Sequence, residues 1–271
     1  MSLHTEWVRY GENEVYSGYA ARPENVEGPL PAIIVLQEIW GVDEHIQDVT
    51  RRYAEAGYVA FAPDLYSENG ERQEAFKEER IVAVKAFLNT VPPKAWHDQE
   101  QLQAALAELP PEQGRQVQAT LGALFGGLDP ENYKEQLLAT SEFLRNDFEP
   151  SKGKNIGSVG FCMGGALSAL LAGTDEDLKG AAIFYGRPPA EEVIKGINCP
   201  VIGFYGGLDK GITGKVPELD QTMKNHGKSF DYHVYDGAQH AFFNDTRTSY
   251  NVDAARDAFA RALVFFKEQL A

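Results

Sequence analysis

The sequence predicts an α/β fold: a mostly parallel central sheet covered by helices on both faces. Three observations predict it. Continuous apolar runs such as Ala32-Ile33-Ile34-Val35-Leu36 have the length and all-round hydrophobicity of strands buried on both sides. Helical patterns separate these runs, and that alternation places helices over both faces. The run Gly160-Phe161-Cys162-Met163-Gly164-Gly165 then joins an apolar strand to an apolar helix through glycines.

In chain order, residues 5–21 alternate around Gly11-Glu12-Asn13, which predicts two antiparallel strands. Pro23, Pro29 and Pro31 end that hairpin, and the 32–36 strand follows. It closes in the polar and aromatic turn Gln37-Glu38-Ile39-Trp40-Gly41. A helix comes next, with Asp43 as N-cap and Gly57 as its stop. Residues 58–62 form the following strand, ended by Pro63-Asp64-Leu65-Tyr66. From about 67 to 132 the alternation lapses into Gln, Glu, Ala and Leu, broken at Pro92-Pro93, Pro110-Pro111 and Gly126-Gly127. This stretch reads as a helical, cap-like insertion within a single domain. A helix over about 133–146 leads to the strand before Cys162. Strands at 179–185, 200–206 and 230–235 follow, with helices near 216–226 and 249–270. In such a sheet the ligand site is expected at the carboxyl ends of the strands.

Composition narrows the function. The 271 residues carry a net charge of −15, which argues against nucleic acid and anionic membrane as partners. With 43% hydrophobic and 24% charged residues, the chain can build a sizeable core. The first residues lack a basic segment followed by an apolar one, so no secretory signal is visible and a cytoplasmic location is expected. No apolar run approaches the length of a membrane span. Two cysteines, Cys162 and Cys199, are too few for a disulfide framework. Neither lies in a ligand cluster, so no metal and no cofactor is expected.

The glycine-flanked cysteine carries the chemistry. A strand entering a helix through Gly-x-Cys-x-Gly has the layout of a nucleophile elbow, which exposes its middle side chain at the end of a sheet. With 26 glycines and 2 cysteines in 271 residues, about 0.02 chance matches are expected, so the motif is informative. The plainer reading is a small cysteine packed under a turn. A helix N-terminus, however, suits a negative sulfur.

In α/β-hydrolase order, an acid and then a histidine follow the nucleophile. Asp209 ends the strand and Gly-rich turn Val201–Asp209, and His240 stands in the loop after 230–235. Among the other histidines, His4, His45, His97 and His226 lie terminally or in expected helices, and His233 lies mid-strand. Cys162, Asp209 and His240 are therefore the expected nucleophile, orienting acid and base. The N–H of Met163 is one expected oxyanion donor, and Ile39 in the turn after residues 33–36 is the other. Trp40 is expected to wall the pocket, and Arg187 to lie near the same sheet edge.

These stretches together resemble the dienelactone hydrolase family, cysteine-nucleophile members of the α/β-hydrolase fold. The match rests on Gln37–Val42, Pro63–Tyr66, Gly160–Gly165, Gly206–Asp209 and Gly237–Phe242, and covers residues 30–271 apart from the helical stretch near 70–130. The resemblance implies a carboxylic ester hydrolase of the dienelactone hydrolase (carboxymethylenebutenolidase) type. It would act on a small ester or lactone through a thioester acyl-enzyme. Apart from the resemblance, a monomer or small homo-oligomer is expected. The resemblance also implies that Glu38 contacts the resting Cys162 and takes part in activating it. Family members hold a substrate carboxylate with arginine, one of them four residues after the histidine. Here Asn244 stands there, and Arg187 or Arg247 is the available substitute, with Arg72 and Arg80 in the unaligned stretch. An esterase or thioesterase without lactone preference is the alternative within enzymes. A non-catalytic small-molecule binder on the same scaffold is the alternative outside them.

Overall fold

Ala32–Leu36 is fully buried, and its side chains divide between two cores. Ala32, Ile34 and Leu36 pack into one hydrophobic cluster, Ile33 and Val35 into the other. This is the consequence of a strand's two-residue period in a sheet covered on both sides. Each such buried aliphatic side chain contributes about 1.5–3 kcal/mol.

The computed structural model describes residues 2–92, 98–126 and 129–271. The breaks expected at Pro93 and Gly127 and the helix expected around His97 lie outside the described residues. The chain divides into two compact units, one comprising Met1–Leu65 with Pro130–Ala271 and the other Tyr66–Asp129.

The first unit is built on an eight-stranded sheet. Numbered along the chain, its strands are β1 (Leu3–Tyr10), β2 (Tyr16–Pro23), β3 (Ala32–Leu36), β4 (Val59–Pro63), β5 (Ile156–Phe161), β6 (Gly180–Phe184), β7 (Val201–Gly206) and β8 (Phe230–Tyr235). Their spatial order is β1-β2-β4-β3-β5-β6-β7-β8. Only the β1–β2 and β2–β4 pairings are antiparallel. All the others are parallel.

One core cluster takes Leu137 and Leu144 of helix Lys134–Asn146, Leu167 and Leu171 of helix Met163–Thr174, and Leu219 and Met223 of helix Val216–Asn225. The opposite cluster takes Ile46, Val49 and Tyr53 of helix Glu44–Glu55, with Ala258 and Phe266 of helix Val252–Gln269. Asp43 caps helix Glu44–Glu55 by accepting a hydrogen bond from the Ile46 N–H at 3.1 Å. Two short helices, Glu191–Gly196 and Lys210–Thr213, were not expected from the sequence. Each is too short to display a hydrophobic period.

The second unit contains helices Glu78–Thr90, Gln99–Ala107 and Pro111–Phe125 among its described residues. Ile81, Val84, Leu106, Val117, Leu121 and Leu124 are buried. A two-residue strand pair, Ser67–Glu68 with Glu71–Arg72, precedes them. No helix among the described residues is long and apolar enough to cross a membrane.

Candidate active site

β5 runs directly into helix Met163–Thr174, and Cys162 is the residue between them. Its φ of 56° and ψ of −112° are unusual for a residue with a side chain. Such a conformation costs of order 1–3 kcal/mol and persists only where its surroundings impose it. The surroundings here are two close approaches that only glycine allows. A Cβ at Gly160 would lie 1.7 Å from the Gly164 carbonyl oxygen, and one at Gly164 would lie 2.2 Å from that of Leu36. The helix start is thus pressed against both its own strand and the end of β3. The Cys162 N–H donates to the Phe184 carbonyl at 3.0 Å, which ties the turn to β6.

Asp209 follows β7 and His240 follows β8, and these two strands are paired in register from Val201 to Gly206. Their outgoing loops stay joined: Gly207 N–H donates to the Tyr235 carbonyl at 2.8 Å, and Leu208 N–H to that of Ala238 at 2.9 Å. Asp209 Oδ2 and His240 Nδ1 consequently meet at 2.6 Å. The imidazole retains 38% exposure, the carboxylate 14%. Partial burial works against a charged ring. The hydrogen bond to Asp209 and the interaction with the Cys162 sulfur outweigh it, and push the His240 pKa up to about 10. Asp209 and His240 are thus hydrogen-bonded, and the imidazole feels the Cys162 sulfur.

Glu38 is 3% exposed, and both its carboxylate oxygens are occupied. Tyr185 Oη donates to Oε1 at 3.2 Å and Asn244 Nδ2 donates to Oε2 at 2.8 Å. Glu38 is thus held by two donors from outside its own turn. Asn244 is fully buried, and its own Oδ1 accepts from the Thr246 N–H and hydroxyl at 3.0 and 2.7 Å. Its side-chain amide is thus engaged at both ends by the protein itself. Ile39 and Trp40 form the turn immediately after Glu38. Met163, as the first residue of its helix, has an N–H for which the helix offers no acceptor.

Trp40 is 4% exposed and lies under the Arg247 guanidinium, whose carbon is 5.2 Å from the ring centroid. Arg187 is exposed, one residue beyond Gly186 at the end of β6. Arg80 pairs with Glu74 at 3.2 Å within the second unit, where Arg72 also lies. His233 is in β8, stacked on Phe204. Sequence reasoning assigned no role to Tyr185. It is fully buried with φ of 42°, and its ring meets that of His240 edge-on at 5.1 Å. A tyrosine closing an apolar strand just before glycine was the available signal.

The sheet order and the cysteine-bearing strand-to-helix turn are those of an α/β-hydrolase. Residues 16–270 match the dienelactone hydrolase family, and the chain belongs to that family. It is accordingly a hydrolase. A provisionally named carboxymethylenebutenolidase of Saccharolobus solfataricus is 37% identical over 251 residues, covering 92% of each chain. Its counterpart by name in Escherichia coli O157:H7 is 30% identical over 263 residues, covering 92% of this chain and 81% of that one. Among solved structures, a provisionally named dienelactone hydrolase from Klebsiella pneumoniae is similar with a TM-score of 0.66 and 27% identity. That alignment covers 98% of this chain and 99% of the other.

Proposed function

We propose that the protein hydrolyses small carboxylic esters or lactones through a thioester acyl-enzyme on Cys162. The observation that carries this reading is the 2.6 Å contact by which Asp209 orients the His240 imidazole, together with Cys162 on its strained strand-to-helix turn. In the first step the Cys162 sulfur attacks the substrate carbonyl, and the carbon–oxygen π pair moves onto oxygen. The backbone N–H groups of Met163 and Ile39 hold that oxyanion. As the tetrahedral adduct collapses, the C–O bond to the leaving alkoxide breaks and the His240 imidazolium protonates it. In a lactone the same break opens the ring, and the alcohol stays attached to the acyl group. Neutral His240 then takes a proton from water, whose oxygen attacks the thioester. Sulfur leaves, the acid is released, and the imidazolium faces the sulfur again. Asp209 keeps Nδ1–H fixed so that Nε2 faces the reaction.

Substrate class follows from position 244. Asn244 is committed to Glu38 and Thr246, so it offers no guanidinium to a substrate carboxylate. Neutral and aryl esters should be accepted at least as well as anionic lactones. The test is a hydrolysis screen of lactones, aryl esters and thioesters beside Cys162→Ala and His240→Ala. Turnover should disappear in both variants. Retention of turnover in both would overturn the reading.

A further inference from the structure

Glu38 is the least exposed carboxylate of the site, and its partners are neutral. Tyr185 Oη and Asn244 Nδ2 take one oxygen each, at 3.2 and 2.8 Å. Such an arrangement satisfies a buried carboxylate without passing its charge to a cation, and it fixes the side chain in two directions. Both donors are themselves immobilised. Asn244 is held by Thr246 from the opposite side, and Tyr185 is wedged in the core between Phe161, Phe242 and the His240 ring. Tyr185 also holds a positive φ of 42°, a conformation that persists only where the surroundings impose it.

What the clamp holds is the backbone. Glu38 directly precedes Ile39, and the Gly41 N–H returns to the Glu38 carbonyl at 3.3 Å. The neighbouring Gln37 is also pinned, its Oε1 accepting from the Leu65 N–H at 3.2 Å. Two successive side chains thus anchor the turn that carries Ile39. The Gln37 carbonyl lies close enough to the cysteine turn that a Cβ at Gly164 would be 2.6 Å from it.

We infer that Tyr185 and Asn244 are positioning residues that act through Glu38 to hold the Ile39 N–H at the oxyanion. Glu38 thereby serves as an anchor of the oxyanion turn. This rests on the proposed role of Cys162 as nucleophile. A donor displaced by about an ångström costs on the order of a hundredfold in rate, so the clamp is expected to act on kcat. It should not act on alkylation of Cys162, because that reaction develops no oxyanion.

The experiment compares Tyr185→Phe, Asn244→Ala, Glu38→Gln and Glu38→Ala with the unaltered enzyme. Two quantities are read: kcat and KM on a p-nitrophenyl ester, and the pH profile of Cys162 alkylation by iodoacetamide. Tyr185→Phe keeps the buried ring and so decides the matter even if Asn244→Ala does not fold. The expected result is a kcat lowered roughly tenfold to a hundredfold in Tyr185→Phe, with KM and the alkylation profile unchanged. Glu38→Gln, which can still accept a hydrogen bond, should keep clearly more activity than Glu38→Ala. An unchanged kcat in Tyr185→Phe would overturn the inference. So would an alkylation profile that shifts in step with kcat, because Tyr185 would then act through the sulfur and not through the oxyanion turn. Failure of the nucleophile reading has a separate signature in the same data: fully alkylated enzyme that keeps its turnover.

Discussion

Replacing Gly164 by alanine tests how closely the site depends on the approach of helix Met163–Thr174 to the end of β3. The added Cβ would stand 2.2 Å from the Leu36 carbonyl oxygen and 2.6 Å from that of Gln37. Ordinary contact begins at 3.4 Å, so the helix start and the strand end must part by about 1.2 Å. Both obstacles are backbone atoms, which cannot rotate aside. Overpacking of this kind costs about 1–3 kcal/mol of stability, or roughly 5 °C in Tm for a chain of this size. The effect on catalysis should be larger in proportion, because the same displacement separates the N–H of Met163 from the Ile39 turn. A misplacement of about an ångström lowers rate on the order of a hundredfold. The assay is ester hydrolysis with parallel thermal unfolding. Gly122→Ala serves as the control, since a Cβ there meets nothing within 4 Å and should be neutral or mildly stabilising. A folded Gly164→Ala enzyme with unreduced kcat would refute the argument that the two turns must touch.

The other predictions use titration and burial. Burial pushes the Cys199 thiol up to about 11, so one equivalent of iodoacetamide at neutral pH should label Cys162 and leave Cys199 intact by peptide mapping; preferential labelling of Cys199 would contradict this. His240 titrates at about 10 in the folded chain against an ordinary 6.5. A raised pKa means that the stabilisation is present below pH 6.5, while Asp209 is ionised, and is lost as pH rises toward 10. The Tm deficit of His240→Gln should accordingly shrink across that interval, and a deficit that grows with pH would reverse the assignment. Tyr53 is fully buried, and its hydroxyl has no hydrogen-bond partner among the described residues. Tyr53→Phe should therefore gain about 1 kcal/mol and raise Tm by roughly 2–4 °C. A lowered Tm would show that the hydroxyl is satisfied.

The sequence by itself determined the strand-and-helix alternation of the first unit, because buried parallel strands must be apolar throughout and leave unmistakable runs such as Ala32–Leu36. It also pointed to Cys162, Asp209 and His240 as candidates, since each follows a recognisable strand and the glycines around Cys162 have no role in an ordinary helix start. The bounds of the helices between 78 and 125 were not legible, because their Gln, Glu and Ala residues favour a helix without a sharp apolar face. The surroundings of Glu38 were decided only by tertiary structure. Tyr185 lies 147 positions away from it along the chain and Asn244 lies 206 away, and no local pattern encodes which of two buried oxygens a distant donor will find. A strand's periodicity is a property of neighbouring residues. A hydrogen bond inside a core depends on how several elements pack at once, and that is why Asn244 reads in sequence as a missing arginine and in structure as a partner of Glu38.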